Sequence, residues 1–286
     1  MGVGLPSRRH TPRPKLMSPD SSQGRAVRIA SVGHAVFAAT LVGLGVLGLI
    51  KGDFDATWPS VPKSMPGREA LAYLSELVYL ACGIGLLWRR AAAVASRLLL
   101  GYLLAWLLLL SLPQVFLLHP TLLAAWEFGK TAMMVAAAWV LYVWLAGDGD
   151  RRPLRFATGD NGLRIARVLC GLAVIPFGLA HFVYLQATVV LVPAWLGSAV
   201  FWAYLTGATF VAAGVAILSG VAARLAATLL TLQIGLLSLL VWVPRVAAGN
   251  LNAFQQGEVV VTITLTAAAW VVADSYRGRS SALQPP

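Results

Sequence analysis

The side chains able to carry protons or hold charged ligands lie inside stretches that are otherwise apolar: Lys51, Glu76, Glu127, Lys130, His181 and Glu258. A charged group at the centre of a membrane span costs about 2.5–3.5 kcal/mol, so such residues face a bundle interior or a wet cavity and take a partner. Lys130 follows Glu127 at i+3, on the same helical face, and the two can neutralise each other locally. Two readings of Glu127 and Glu258 stand side by side. They are either helix-start acids favoured by the helix N-terminus, or members of a ligand or proton site. Glu76 sits about two turns into its segment, where burial opposes its charge unless Lys51 or another cation pairs with it.

His181 carries an imidazole that titrates near neutrality and suits a metal ligand, a haem ligand or a proton relay. A structural hydrogen bond is the plainer use of a lone histidine in a helix bundle. A bis-histidine haem needs a second histidine at like depth, but His119 stands in the other half of the chain and His34 at the other side, so haem is not expected. No zinc-ligand spacing, phosphate loop or Ser/His/Asp arrangement is readable, so no metal is expected. Cys82 and Cys170 each lie within an apolar run and form no CxxC, which reads as two small core residues rather than a redox pair.

The elements that must position these groups follow from composition. The chain of 286 residues is 58% hydrophobic and only 12% charged, with a mean hydropathy of +0.76; most of it cannot face water. Eight apolar segments, near 29–51, 69–88, 95–118, 123–146, 164–186, 198–219, 222–243 and 257–275, approach the ~20 residues a helix needs to cross the hydrocarbon. Helices are expected because an open strand edge cannot be satisfied in lipid. The net charge of +11 comes from short basic clusters between the apolar segments. Such clusters orient a membrane protein and do not point to nucleic acid.

A second pattern lies over the first. Val61 to Val140 returns as Val192 to Val271: Pro62 as Pro193, Gly83 as Gly214, Pro113 as Pro244, Glu127 as Glu258, and Ala136-Ala137-Ala138-Trp139-Val140 as Ala267-Ala268-Ala269-Trp270-Val271. Each pair is 131 residues apart, as 193 is from 62. Paired prolines, a paired acid and a paired tryptophan in one frame indicate a tandem duplication. The expected fold is therefore an all-α polytopic membrane protein, its eight transmembrane helices forming two pseudo-symmetric four-helix bundles. With an even number of spans in each copy, the repeat is parallel and its axis runs along the membrane normal.

Basic residues set the orientation. The tail, Arg89/Arg90/Arg97, Arg151/Arg152/Arg155/Arg164, Arg224 and Arg277/Arg279 fall on one side, against Lys51, Lys63, Arg68 and Arg245 on the other. Both termini are expected in the cytoplasm and the chain in the inner membrane. Residues 1–27 read as a disordered basic tail, 28–146 as the first repeat, 147–163 as a cytoplasmic linker, 164–276 as the second repeat and 277–286 as a C-terminal tail. The intramembrane polar residues then gather in the non-cytoplasmic half: Lys51, Glu76, His119, Glu127 and Lys130 in one copy, and His181, Tyr184, Asn250, Gln255, Gln256 and Glu258 in the other. One outward-facing polar cavity per repeat is expected. Trp58, Trp126, Trp195 and Trp202 read as an aromatic belt at the outer interface.

Leu74-Ser75-Glu76-Leu77, followed by Gly83, Gly85, Leu86, Leu87 and Arg89-Arg90, resembles the second helix of the DoxX-like membrane proteins. Lys51, after Gly48-Leu49-Ile50, matches the basic residue that often ends their first helix. Phe177-Gly178-Leu179-Ala180-His181-Phe182, Val192-Pro193-Ala194-Trp195-Leu196 and Tyr204-Leu205-Thr206-Gly207 are similar to the variant with histidine at the helix-one position. The resemblance covers residues 28 to 275 as two copies, but Gly207 stands opposite Glu76, so only one half keeps the helix-two acid. It implies four-helix membrane proteins linked in some members to sulfur or thiol redox chemistry and quinone-dependent oxidation, often as accessory subunits.

On this basis the expected function is an accessory or scaffold subunit of a membrane redox assembly, with the lipid bilayer and a membrane redox protein as partners and a quinone as the cofactor it admits. A small-molecule or lipid transporter is the alternative, suggested by the parallel repeat and the acids within spans. Catalysis by this chain alone, as in disulfide-forming membrane enzymes, would need paired outer-face cysteines, which are absent from the sequence.

Overall fold

The structure, a computed structural model, describes residues 1–2, 30–52, 54, 61, 66–118, 120–145, 156–249, 251 and 253–277. Most of the N-terminal tail (3–27), the linker as far as residue 155 and the C-terminal tail from residue 278 lie outside the described residues. The described residues are helical, without strands, and eight helices are long and apolar enough to cross a membrane. They are α1 (Val32–Lys51), α2 (Arg68–Leu87), α3 (Ala92–Leu118), α4 (Leu122–Leu145), α5 (Gly159–Val183), α6 (Ala199–Ser219), α7 (Ala223–Ala247) and α8 (Ala253–Asp274). The protein is a polytopic all-α membrane protein. At 1.5 Å per residue the shortest, of 20 residues, covers ~30 Å, the thickness of the hydrocarbon.

Local chemistry sets several helix ends. The Ser31 hydroxyl accepts the His34 main-chain N–H, and α1 stops at Gly52 in the left-handed region. Ser198 caps α6 in the same way through the Phe201 N–H. Hydropathy places the start of the fifth span at residue 164, but α5 begins five residues earlier, at Gly159. Asp160 in its first turn suits the helix N-terminus, and Asn161 bonds back to the Phe156 carbonyl.

Both α3 and α7 contain a π-helical turn, at Leu107–Ser111 and Ser238–Trp242. In each, the N–H just before a proline reaches five residues back: Leu112 to Leu107 before Pro113, and Val243 to Ser238 before Pro244. Proline donates no N–H and its ring crowds the carbonyl four residues back, so a widened turn absorbs the misfit and the helix continues. The seventh span accordingly runs past Pro244 to Ala247, four residues beyond the end read from hydropathy. The first residues of α2 and α6, of α3 and α7, and of α4 and α8 are each 131 residues apart, as 199 is from 68.

Around the molecule, each helix packs on the next in sequence, and α8 packs on α1 to close the ring. Two helices also meet across the middle, α4 and α8. Their most apolar windows are 78% and 61% buried, against 28–44% in the other six helices. The repeated Ala-Ala-Ala-Trp-Val runs explain this placement: Ala136, Ala137, Ala138, Ala267 and Ala268 are fully buried, and small side chains let central helices approach closely. The two sets of four helices thus share one core. α4 reaches from the first set to α5, and α8 from the second set to α1.

Candidate functional site

Two groups of polar side chains lie inside this frame. The first is on α4 and α8. Lys130 is 2% exposed, and its Nζ donates to Glu127 Oε1 at 3.0 Å and to Glu258 Oε1 at 2.6 Å. Its ammonium also sits 5.3 Å from the centre of the Trp126 ring, so Trp126 turns inward to the cation and is not simply a belt residue. The local Glu127–Lys130 pair is present as the i+3 spacing requires. The arrival of Glu258 is not local, since it comes from 128 residues away in sequence.

The expectation of two separate polar cavities, each with its own acid, does not hold for Glu127 and Glu258. They converge on one lysine where α4 meets α8. The residue 131 positions after Lys130 is Val261, which is buried and apolar, so among the described residues one cation serves both acids. At an effective dielectric of about 20, each ammonium–carboxylate attraction at ~4 Å is worth about 4 kcal/mol, and repulsion between carboxylates ~5–6 Å apart about 3 kcal/mol. Attraction wins within the triad. The sum of formal charges is still −1.

The second group lines the interior of the first half. Glu76 is fully buried on the face of α2 that also presents Ser75 and Tyr79. Gly48 of α1 makes room for it: a Cβ there would lie 2.2 Å from Glu76 Cδ. The hydroxyls of Ser75 and Tyr102 are hydrogen-bonded, and the rings of Tyr79, Tyr102, Trp106 and Phe54 follow one another edge to face with centroids 5.7, 6.1 and 5.5 Å apart. Lys51 does not supply the counter-charge considered for Glu76. It ends α1 exposed and forms no ion pair among the described residues.

The second half is built differently at the matching positions. Gly207 stands where Glu76 would recur, and a Cβ there would lie 2.9 Å from the His181 Cβ and 3.0 Å from the Gly178 carbonyl. The backbones of α5 and α6 close on the space an acid would fill. His181 is held within this half: its ring Nδ1 bonds the Phe177 carbonyl at 2.7 Å and its ring lies 5.6 Å from Phe210. Among the described residues no group of three His, Cys, Asp or Glu side chains is placed to hold a metal. His119, Asn250 and Trp58 lie outside the described residues.

Two features near the other end of the bundle emerge only in three dimensions. His34 is buried, bonding the Leu86 carbonyl through Nε2 and accepting the Ala30 N–H at Nδ1, so it ties the start of α1 to the end of α2. Arg167 of α5 donates to the Ser275 hydroxyl and carbonyl and lies 4.1 Å from the centre of the Tyr276 ring, which pins the end of α8. Neither pattern is readable from spacing, because each joins residues far apart in the chain. Comparison with protein-family models, with curated proteins and with solved structures found no match.

Proposed function

We propose that this protein is an accessory or scaffold subunit of a quinone- or thiol-linked membrane redox assembly, as the DoxX-like resemblance implies, seated in the inner membrane with both termini in the cytoplasm. The observation that carries the reading is the interior of the first half. A buried carboxylate, a Ser75–Tyr102 hydroxyl pair and the rings of Tyr79 and Trp106 offer the donors, acceptor and stacking faces that suit a quinone headgroup. A quinone would supply two-electron, two-proton carrier chemistry. Glu76 would hold a proton beside its oxygens, the Tyr102 and Ser75 hydroxyls would orient the ring, and the surrounding apolar helices would exclude water. Gly207 stands 131 residues after Glu76, so among the described residues the matching position of the second half carries no such acid.

Purification in mild detergent from native membranes, followed by extraction of bound quinones and identification of co-purifying proteins, tests this reading. Glu76→Gln should lower quinone occupancy up to about tenfold, the effect of weakening a neutral hydrogen bond worth ~1–1.5 kcal/mol, while leaving the protein inserted and helical. Equal quinone retention in the variant, or none in the wild type together with no oxidoreductase partner, would sink it.

One structural feature favours the alternative, a transporter of small molecules or lipids. The π turns of α3 and α7 are local irregularities within continuous spans, and π turns occur often at functional sites. In proteoliposomes this reading expects substrate-dependent flux that falls at least tenfold in the Glu127→Gln/Glu258→Gln double variant, the consequence of ~1.4 kcal/mol or more lost at the site. Unchanged flux removes the acids from transport.

A further inference from the structure

We propose that Glu127 is a proton-binding site whose occupancy is tied to the contact between α4 and α8. The quinone reading is not needed for it, since Glu76 lies on another helix, and it stands whether or not the same acids serve transport.

Three observations support it. Both carboxylates take the same ammonium, with Oε1 atoms 3.0 and 2.6 Å from Lys130 Nζ, so those oxygens are no more than about 5.6 Å apart. Among the described residues one cation serves two acids; Lys130 is 2% exposed, Glu258 10% and Glu127 23%, with Glu127 Oε2 itself buried. The cluster therefore carries an uncompensated negative charge unless one acid is neutral, and its largely apolar surroundings disfavour that charge. Glu258 makes the shorter contact with the ammonium, and Glu127 the longer.

The hydrogen-bond inventory then assigns the proton. Glu127 Oε2 is buried and has no hydrogen-bond partner among the described residues. An ionised carboxylate only accepts, whereas a protonated one has an O–H to donate. An acceptor stands one turn along the same face of α4: the Thr131 hydroxyl is buried and likewise has no partner among the described residues. Its counterpart Thr262 bonds to the Glu258 main-chain carbonyl at 2.7 Å, so the two halves differ here, and the Thr131 oxygen is left available.

The electrostatic neighbours of the site are its own members, Glu127, Lys130 and Glu258. At the same end of the bundle, α5 contributes His181 and the residue after its end is Tyr184, α7 contributes Arg245, which donates to the Val190 carbonyl at 2.7 Å, and α1 contributes the exposed Lys51. The α3 residues 107–118 include no titratable side chain. Charge balance therefore depends on how many carboxylates reach Lys130. When α8 withdraws Glu258, Lys130 pairs with Glu127 alone, Glu127 ionises, and its proton leaves. Restoring the contact takes a proton up. The triad thereby links proton exchange to the relative position of the two halves.

Infrared spectra of purified protein carrying isotope-labelled glutamate read this directly at neutral pH, in sodium-containing and sodium-free buffer. The expected result is a protonated-carboxyl band, separate from any that Glu76 contributes, that is lost in Glu127→Gln and retained in Glu76→Gln. The band should also vanish in Glu258→Gln, because Glu127 then becomes the sole partner of Lys130 and ionises. Val261→Lys, which supplies the missing second cation without removing an acid, should remove the band too and serves if a Gln variant does not fold. No Glu127-dependent band, a band that survives Glu258→Gln in folded protein, or a band present only when sodium is omitted would overturn the proposal; the last result would mean that a metal cation balances the charge.

Discussion

Replacing Lys130 with methionine is expected to destabilise the protein by about 3–5 kcal/mol, the range for removing one member of a buried ion pair. The methylene stem is largely kept, so packing changes little, but the one ammonium shared by Glu127 and Glu258 is gone. Both acids are then left against each other at the α4–α8 contact, which is the junction between the two sets of helices. The measurement is the midpoint of unfolding in detergent at fixed pH. The same measurement on Lys130→Met/Glu127→Gln/Glu258→Gln separates charge from shape: removing all three charges should return most of the loss, because an uncharged cluster of similar volume is often as stable as the ion pair it replaces. If the triple variant is as unstable as the single, the cost lies in packing and the electrostatic account fails.

The second large effect concerns close approach of helix backbones. A Cβ on Gly45 would lie 2.7 Å from both the Glu76 carbonyl and the Leu80 nitrogen, and one on Gly83 would lie 2.8 Å from the Ala38 carbonyl. These are backbone atoms, so α1 and α2 must separate to admit even a methyl group. Gly45→Ala and Gly83→Ala should each cost about 1–3 kcal/mol, the usual range for overpacking. They should also loosen the seat of Glu76, whose side chain occupies the space left by Gly48 on the same contact. Gly43 and Gly101 provide the control. Each is helical, and a methyl group added there would meet nothing within 4 Å. Gly→Ala at either position should be neutral or stabilise by up to about 1 kcal/mol through helix propensity. Equal losses at all four positions would show that glycine serves some purpose other than helix contact.

What is local or periodic in this protein is legible from its residues in order. Apolar runs of span length place eight helices, because hydrocarbon leaves the backbone no other way to satisfy its hydrogen bonds. The Glu127–Lys130 spacing puts those two side chains on one face, because a helix brings i and i+3 together, and the distance between Nζ and Oε1 is 3.0 Å. The 131-residue interval between the paired prolines marks where the two π turns that precede those prolines fall, although the turns themselves are not readable from it. A proline near a helix end looks the same in sequence whether the helix stops or widens to pass it.

Which helices meet is a property of the assembled chain alone. Periodicity shows which face of a helix is apolar or carries a charge, but nothing in it says which neighbour that face touches. In sequence Glu258 reads as the acid of its own cavity; with α8 against α4, its carboxylate lies 2.6 Å from Lys130. The same holds for Gly207: the missing acid is legible, but the closure of α5 onto α6 over that position, with His181 packed against it, depends on the distance between two backbones. Contacts of this kind depend on how side-chain volumes fit between helices, and that fit exists only once all eight are assembled.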